Sequence, residues 1–229
     1  MSQITLEEFK NTFKYYKGIE HQQRAIEELF LNLDSDLKES DADWLQIYRN
    51  QIKRGLVNPL VVPYQTQLDN KTDPYRECFS SCCAMVAMYY GVVSNDDEYI
   101  EIRSEFGDTT LASSHVKALA SLGLKAVFIP NATTDDLKRQ IDEGVPTPCG
   151  WLHYGPSYKP SGGGHYCTVI GYTDTGWRLH DPFGEADLVN GGYINNDNGE
   201  FQHYSYKNWN PRWIVEGEGS GWMMDIRRT

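Results

Sequence analysis

Residues 78–90 read CFSSCCAMVAMYY, and they form the most apolar predicted helix in the chain, which therefore favours a buried position. Gly91 ends this helix. A polar turn, residues 73–77 (DPYRE), precedes it and places Cys78 at the helix N-terminus. Free amides and the positive end of the helix dipole stabilise a thiolate at that position. The stretch thus predicts both a core helix and a candidate nucleophile.

Outward from this helix, the pattern from residue 60 onward mixes helices and strands. Further helices are predicted at 95–105, 113–122 and 133–142, the last capped by Thr133 or Thr134. Strands are predicted at Leu60–Tyr64, 124–129, 165–173, 176–180, near 201–206 and near 212–216. One leading helix followed by antiparallel strands indicates an α+β fold rather than a doubly wound one.

Residues 1–55 differ from the rest of the chain, because three short amphipathic stripes recur there at helical spacing. The turn around Asn58-Pro59 marks the predicted boundary to the second unit. The first unit is interpreted as an accessory helical module and residues 56–229 as the catalytic domain. Two roles stay open for the module: targeting of the enzyme, or cover for an apolar face of the catalytic domain.

Composition and charge exclude several functions. The net charge is −11, with 21 basic and 32 acidic residues, and no Lys/Arg stripe is present, which argues against nucleic-acid binding. No apolar run approaches the roughly 18 residues of a membrane span. Without a signal peptide the five cysteines are expected to be reduced thiols of a protein made in the cytosol.

Three residues could form a catalytic constellation. His165 follows three glycines, Gly162–Gly164, and opens a predicted strand. A hairpin turning near residues 174–176 brings Asp181 within reach of His165, where a carboxylate would orient the ring. Cys78 would be the nucleophile and His165 its proton carrier. The remaining cysteines, Cys82, Cys83, Cys149 and Cys167, are interpreted as small buried hydrophobic residues.

The segments VPYQTQ, ECFSSCCAMVAMYYG, GGGHYCTVIGY and HDPFG together resemble the bacteriocin-leader-processing cysteine peptidases and their papain-like relatives. The resemblance covers residues 60–185 and implies a papain-like α+β fold, with a leading catalytic helix packed on an antiparallel sheet. It implies the roles of nucleophile for Cys78, base for His165 and orienting carboxylate for Asp181. It also implies an oxyanion-hole glutamine before the cysteine, with Gln67 as first choice and Gln65 as second.

The substrate class follows from a second resemblance. The segments FKYYKGIEHQQRAIEELF and DADWLQIYR are similar to helical modules attached to wall hydrolases of cyanobacteria and their phages. Together the two resemblances imply a peptidoglycan stem-peptide hydrolase of the phage lysin type, which needs no cofactor, metal, nucleic acid or membrane insertion. Two alternatives remain: a catalytically idle wall- or virion-binding module, and a soluble peptidase for double-glycine leaders.

Overall fold

The computed structural model describes residues 58–229, so the predicted helical module at residues 1–55 lies outside the described residues and stays a prediction. The helices of the described part are α1 (Cys78–Tyr89), α2 (Asp96–Ser104), α3 (Ala112–Ser121), α4 (Thr134–Asp142) and α5 (Tyr206–Trp213). The strands are β1 (Leu124–Ala132), β2 (Thr147–Trp151), β3 (His165–Tyr172), β4 (Gly176–His180), β5 (Glu185–Ala186), β6 (Tyr193–Asn195), β7 (Gln202–Ser205) and β8 (Gly221–Arg228). A single 3₁₀ turn, Gln67–Asp69, precedes α1 within this part of the chain.

Six strands form one sheet in the order β1-β8-β2-β3-β4-β7, and every neighbouring pair is antiparallel. Strands β5 and β6 form a separate two-stranded ribbon. The predicted α+β class with a leading helix on an antiparallel sheet is therefore confirmed. None of the helices within residues 58–229 is long and apolar enough to cross a bilayer.

Helix α1 contributes to two hydrophobic cores at once. Cys82 and Met85 pack into a core with residues of β2, β3, β4 and α5. Side chains on the other faces of the helix pack in a second core with α2, α3, β1 and β8, namely Phe79, Cys83, Ala84, Val86 and Ala87. This double contact explains why the sequence of α1 is apolar nearly all round. It leaves Cys78, at the first turn, as a partly exposed residue of a buried helix.

Helices α1 to α4 were predicted to within one residue at each end, whereas α5 was not predicted. Thr133 is the N-cap of α4 and forms a capping box with Asp136, because each side chain bonds the other's backbone amide. The predicted strand Leu60–Tyr64 is wrong. Pro59 and Pro63 have no N–H to donate, and the segment makes one backbone bond to β3, from Leu60 N to Ile170 O at 2.7 Å.

The predicted strand near residues 212–216 is also wrong, since helix α5 ends there. Trp209 and Trp213 lie one turn apart, are both buried, and stack with ring centroids 5.3 Å apart. Their burial on one face of the helix outweighs the β-propensity of aromatic side chains. The strand that completes the sheet is β8, after the glycine-rich turn, and neither it nor β2 was predicted.

Arg212 of α5 is fully buried, and backbone carbonyls satisfy its guanidinium. All five N–H groups donate: Nε to Leu188 O, Nη1 to the carbonyls of Leu152 and Tyr154, and Nη2 to those of Gly155 and Leu188, at 2.7 to 3.1 Å. The bonds fasten α5 to the loop between β2 and β3 and to the loop before β6. That first loop leads into His165.

Replacing Arg212 by methionine is expected to lower the free energy of unfolding by about 3 kcal/mol or more, because five hydrogen bonds from a buried guanidinium to four backbone carbonyls are lost. Urea denaturation of the full chain measures this difference. Arg139→Met is the matched control, since Arg139 is exposed and pairs with Asp136 of its own helix, and a change within about 0.5 kcal/mol is expected there. Equal losses for the two variants would contradict the structural role of Arg212.

Candidate active site

Cys78 lies in a surface cleft of about 610 Å³ that opens between the N-terminus of α1 and the ends of β2, β3 and β8. His165 and Trp151 also line this cleft, together with the glycines Gly163 and Gly164. Gly164 has φ of +90°, a left-handed backbone conformation that side chains rarely allow, which lets the chain turn sharply into β3. The imidazole thus reaches the helix terminus that carries the thiol.

His165 lies between Cys78 and Asp181. Its Nε2 is 2.7 Å from Asp181 Oδ1, and its ring lies close enough to the Cys78 sulfur for the two groups to interact electrostatically. Because the carboxylate engages Nε2, the nitrogen that faces the thiol is Nδ1. His165 is 5% exposed and Asp181 is fully buried. The structure therefore brings together the three residues that the sequence predicted as a triad.

The charge of His165 follows from its two neighbours. Burial alone lowers the pKa of His165, but the Asp181 carboxylate and the Cys78 sulfur outweigh that effect and raise the pKa to about 10. The imidazole is thus held as an imidazolium at neutral pH.

Asp181 is held by donors that sequence reasoning missed. The Tyr204 hydroxyl donates to Oδ2 at 3.0 Å, and the Phe183 amide donates to Oδ1 at 3.0 Å. The Tyr193 hydroxyl lies 3.4 Å from both oxygens. A buried carboxylate needs such donors because water cannot reach it. Tyr204 and Tyr193 lie on β7 and β6, far from Asp181 in sequence, so no local motif marked them.

Glu77, the acidic residue before the nucleophile, forms a buried ion pair. Its Oε1 accepts from Arg103 Nη2 at 2.7 Å, and both side chains are about 95% buried. Arg103 also donates to Ser80 Oγ and to Gly107 O. The pair fastens the first turn of α1 to α2 and to the loop that follows it, and it neutralises a carboxylate next to Cys78.

The structure places the two candidate glutamines differently. Gln67 is 1% exposed and its Nε2 donates to Pro74 O at 2.7 Å. Gln67 N bonds Pro182 O at 2.8 Å, which holds this turn against the Asp181 segment. Gln65 instead donates to Tyr64 O and accepts from Asp96 N at the start of α2. Neither glutamine is among the residues that line the cleft.

The other four cysteines are buried free thiols, namely Cys82, Cys83, Cys149 and Cys167. Burial raises the pKa of each of these thiols well above its ordinary value, so they stay protonated. Their interpretation as small hydrophobic residues agrees with these positions. Cys78 differs from them in being partly exposed and in contacting a cation.

His153, interpreted from the sequence as a scattered surface or core residue, lies beside the catalytic candidates. Its ring centroid is 5.6 Å from that of His165. Burial, followed by the positive charge of His165, lowers the pKa of His153 to about 4. A neutral ring here does not compete with His165 for the carboxylate. Within residues 58–229, no cluster of three or more His, Cys, Asp or Glu is arranged to hold a metal ion.

The sheet, the leading helix and the Cys–His–Asp constellation define a cysteine peptidase of papain-like architecture. Residues 59–212 match the Peptidase_C39 like family, and the chain belongs to this family. No curated protein matches the chain.

Several solved structures are similar to the chain, among them the three that follow. A double glycine motif protease from an AMS/PCAT transporter, in complex with its leader peptide, is 16% identical, with a TM-score of 0.49, over 75% of this chain and 95% of that chain. The peptidase domain of Streptococcus ComA is 18% identical, with a TM-score of 0.45, over 70% and 96%. Procathepsin L2 from Tenebrio molitor is 11% identical, with a TM-score of 0.38, over 79% and 66%. The family assignment rests on the sequence match.

Asp181→Asn is expected to lower the pKa of His165, because the carboxylate charge is lost while burial, which opposes ionisation, remains. The expected shift is roughly one to three pH units, so the imidazolium persists to about pH 10 in the natural protein and is lost at lower pH in the variant. NMR titration of histidine-labelled protein measures it. His115, whose pKa burial lowers to about 4, serves as internal reference. An unchanged His165 titration would contradict the assigned pair.

Tyr204→Phe is expected to reduce kcat/KM for peptide hydrolysis by roughly 3- to 10-fold, since Asp181 loses a donor worth about 0.5 to 1.5 kcal/mol. Tyr193→Phe is the matched variant, and a smaller effect is expected because its contacts are longer, at 3.4 Å. Rates are measured below the melting temperature of both variants. A larger effect from Tyr193→Phe would reverse this ranking.

Proposed function

We propose that this cysteine peptidase uses Cys78 as nucleophile, His165 as general acid and base, and Asp181 as the orienting carboxylate. The observation that carries the proposal is the buried Asp181–His165 hydrogen bond of 2.7 Å beside the partly exposed thiol. The thiolate attacks the scissile carbonyl, and His165 gives its Nδ1 proton to the leaving amine. His165 then takes a proton from the water that cleaves the thioester. Asp181 keeps its negative charge throughout and holds the ring.

Oxyanion stabilisation is assigned to the backbone amide of Cys78 and to the side chain of Gln67. The Nε2 group of Gln67 carries two N–H donors, of which Pro74 O occupies one. The second donor supports the proposed role. Gln65 is the second choice, because its Oε1 accepts from Asp96 N and this holds the amide at the start of α2.

The proposed substrate is the stem peptide of peptidoglycan, cleaved by an enzyme of the phage lysin type. Its support is the wall-hydrolase pattern of residues 1–55 and the exposed aromatic side chains of the catalytic unit. Tyr75, Tyr154, Tyr158 and Trp222 are all more than half exposed, and such side chains offer both an apolar face and a polar edge to glycan or peptide. Residues 1–55 are proposed to target the enzyme to the wall.

Cleavage of a double-glycine leader peptide is the second candidate function, and membership of the Peptidase_C39 like family favours it. The two candidates require the same triad and differ in the substrate. Incubation of the purified protein with bacterial sacculi and, in parallel, with a double-glycine leader peptide separates them by mass spectrometry. New stem-peptide ends support the first candidate, and cleavage after the double glycine alone would replace it with the second.

Cys78→Ala is expected to lower the cleavage rate on the order of 10³-fold or more, because the thiolate forms the covalent intermediate. Cys82→Ala is the matched control, since Cys82 is one turn further along α1 and fully buried. That variant is expected to retain activity. Wall or leader cleavage by Cys78→Ala at the natural rate would exclude the assignment. If the natural protein cleaves neither substrate, the catalytically idle binding module replaces the peptidase hypothesis.

Deleting residues 1–55 tests the targeting role. A truncation that hydrolyses a short stem peptide normally but no longer sediments with sacculi is the expected result. A truncation that is insoluble would show instead that these residues cover an apolar face of the catalytic unit.

A further inference from the structure

The floor of the cleft is a row of three paired residues on neighbouring strands. Gly150 of β2 lies opposite Tyr166 of β3 on one side and opposite Trp222 of β8 on the other. Side chains at paired positions of antiparallel strands point to the same face of the sheet. All three residues line the cleft with Cys78.

The row of Tyr166, Gly150 and Trp222 is accessible from the cleft because helices α1 and α3 cover only the neighbouring part of this sheet face. On β8, Met224 and Ile226 point to the same face as Trp222 and are fully buried in the core that includes α1 and α3. Trp222 is 54% exposed. Since Cys78 is the first residue of α1, the uncovered row begins where the nucleophile stands.

Tyr166 leans over Gly150. A Cβ on Gly150 would lie 2.9 Å from Cζ of Tyr166 and 3.2 Å from its Oη, so the glycine leaves room for the phenol end of the ring. Phe79 stacks on the ring with centroids 3.8 Å apart and planes 5° apart. Stacking on Phe79 therefore fixes the orientation of the Tyr166 ring, and its hydroxyl lies over Gly150.

The Tyr166 hydroxyl makes no hydrogen bond to any residue of the 58–229 range, unlike the buried hydroxyls of Tyr204 and Tyr99. Burial, and then the neighbouring cysteine sulfurs including that of Cys78, raise the pKa of Tyr166, so the phenol keeps its proton. A protonated donor that is fixed by stacking, and that has no hydrogen-bond partner within residues 58–229, is available to a bound acceptor in the cleft. Peptide substrates present carbonyl oxygens along their backbone.

We propose that Tyr166 is a substrate-binding residue whose hydroxyl donates a hydrogen bond to a backbone carbonyl of the bound peptide, over the floor formed by Gly150. The proposal rests on the proposed function in that Cys78 is taken as the nucleophile. It does not depend on whether the peptide comes from the wall or from a leader, since both carry the same carbonyl.

The test compares two alkylating reagents on the full chain. Acetyl-dialanyl chloromethyl ketone carries peptide carbonyls to Cys78, whereas iodoacetamide alkylates the thiolate without a peptide backbone. Tyr166→Phe is expected to lower the inactivation rate constant for the peptidyl reagent roughly 3- to 10-fold, the effect of one hydrogen bond. Its rate with iodoacetamide is expected to equal that of the natural protein, because the phenyl ring still stacks on Phe79.

Two further variants complete the design. Gly150→Ala places a Cβ against the Tyr166 ring and is expected to lower the peptidyl rate selectively as well. Tyr90→Phe is the matched control, since it removes a tyrosine hydroxyl that bonds Ile226 O at the other end of α1. No change is expected for either reagent in that variant.

The outcomes separate the proposal from the function on which it rests. An unchanged peptidyl rate in Tyr166→Phe would overturn the proposal while leaving the triad intact. An equal loss with both reagents would also overturn it, because Tyr166 would then support the nucleophile rather than the peptide. If peptide mapping finds no preferential label on Cys78 of the natural protein, the nucleophile assignment fails and the proposal fails with it.

Discussion

The structure depends on the burial of helix α1. Its side chains fill two cores, so the helix is enclosed by the sheet and by the helices that follow it. A helix of this kind can meet solvent only at an end. The first turn, with its free amides, is the end that opens into the cleft, and Cys78 occupies it. The position of the thiol is therefore a consequence of packing.

Burial of charge is the second constraint on the site. Two pairs of opposite charge lie at the cleft, Glu77 with Arg103 and Asp181 with His165. Arg103 donates further hydrogen bonds to Ser80 and Gly107, and Asp181 accepts further ones from Tyr204 and Phe183. A buried charge carries a large desolvation free energy unless an opposite charge compensates it, and the pairing fixes the geometry of both side chains. The first pair holds the helix terminus, and the second holds an imidazolium against the sulfur. The cleft walls between them are aromatic and glycine-rich.

The sequence predicted helices α1 to α4 well because their limits are marked locally, and it missed α5, whose residues were interpreted as the ends of two strands. A capping threonine, a terminal glycine and an apolar face lie within a few residues of one another, as in α4 with Thr133. It predicted the His165–Asp181 contact because a hairpin relates the two residues through a short turn. Strands β2 and β8 went unnoticed because β2 contains a proline and a glycine, and β8 lies at the end of the chain without a hairpin partner next to it in sequence.

By itself the sequence determined the residue types of the site and their order: a cysteine at a helix start, a histidine after glycines, and an aspartate one hairpin later. Helix starts, glycine turns and short hairpins depend on interactions between residues that are close in sequence, so the sequence alone can predict them. Only the tertiary structure decided that Tyr204 supports Asp181, that Gln65 is engaged elsewhere, and that Tyr166 and Trp222 flank Gly150. Those relations join strands β2, β3, β7 and β8 and the start of α2, and register between distant strands is set by packing of the whole sheet.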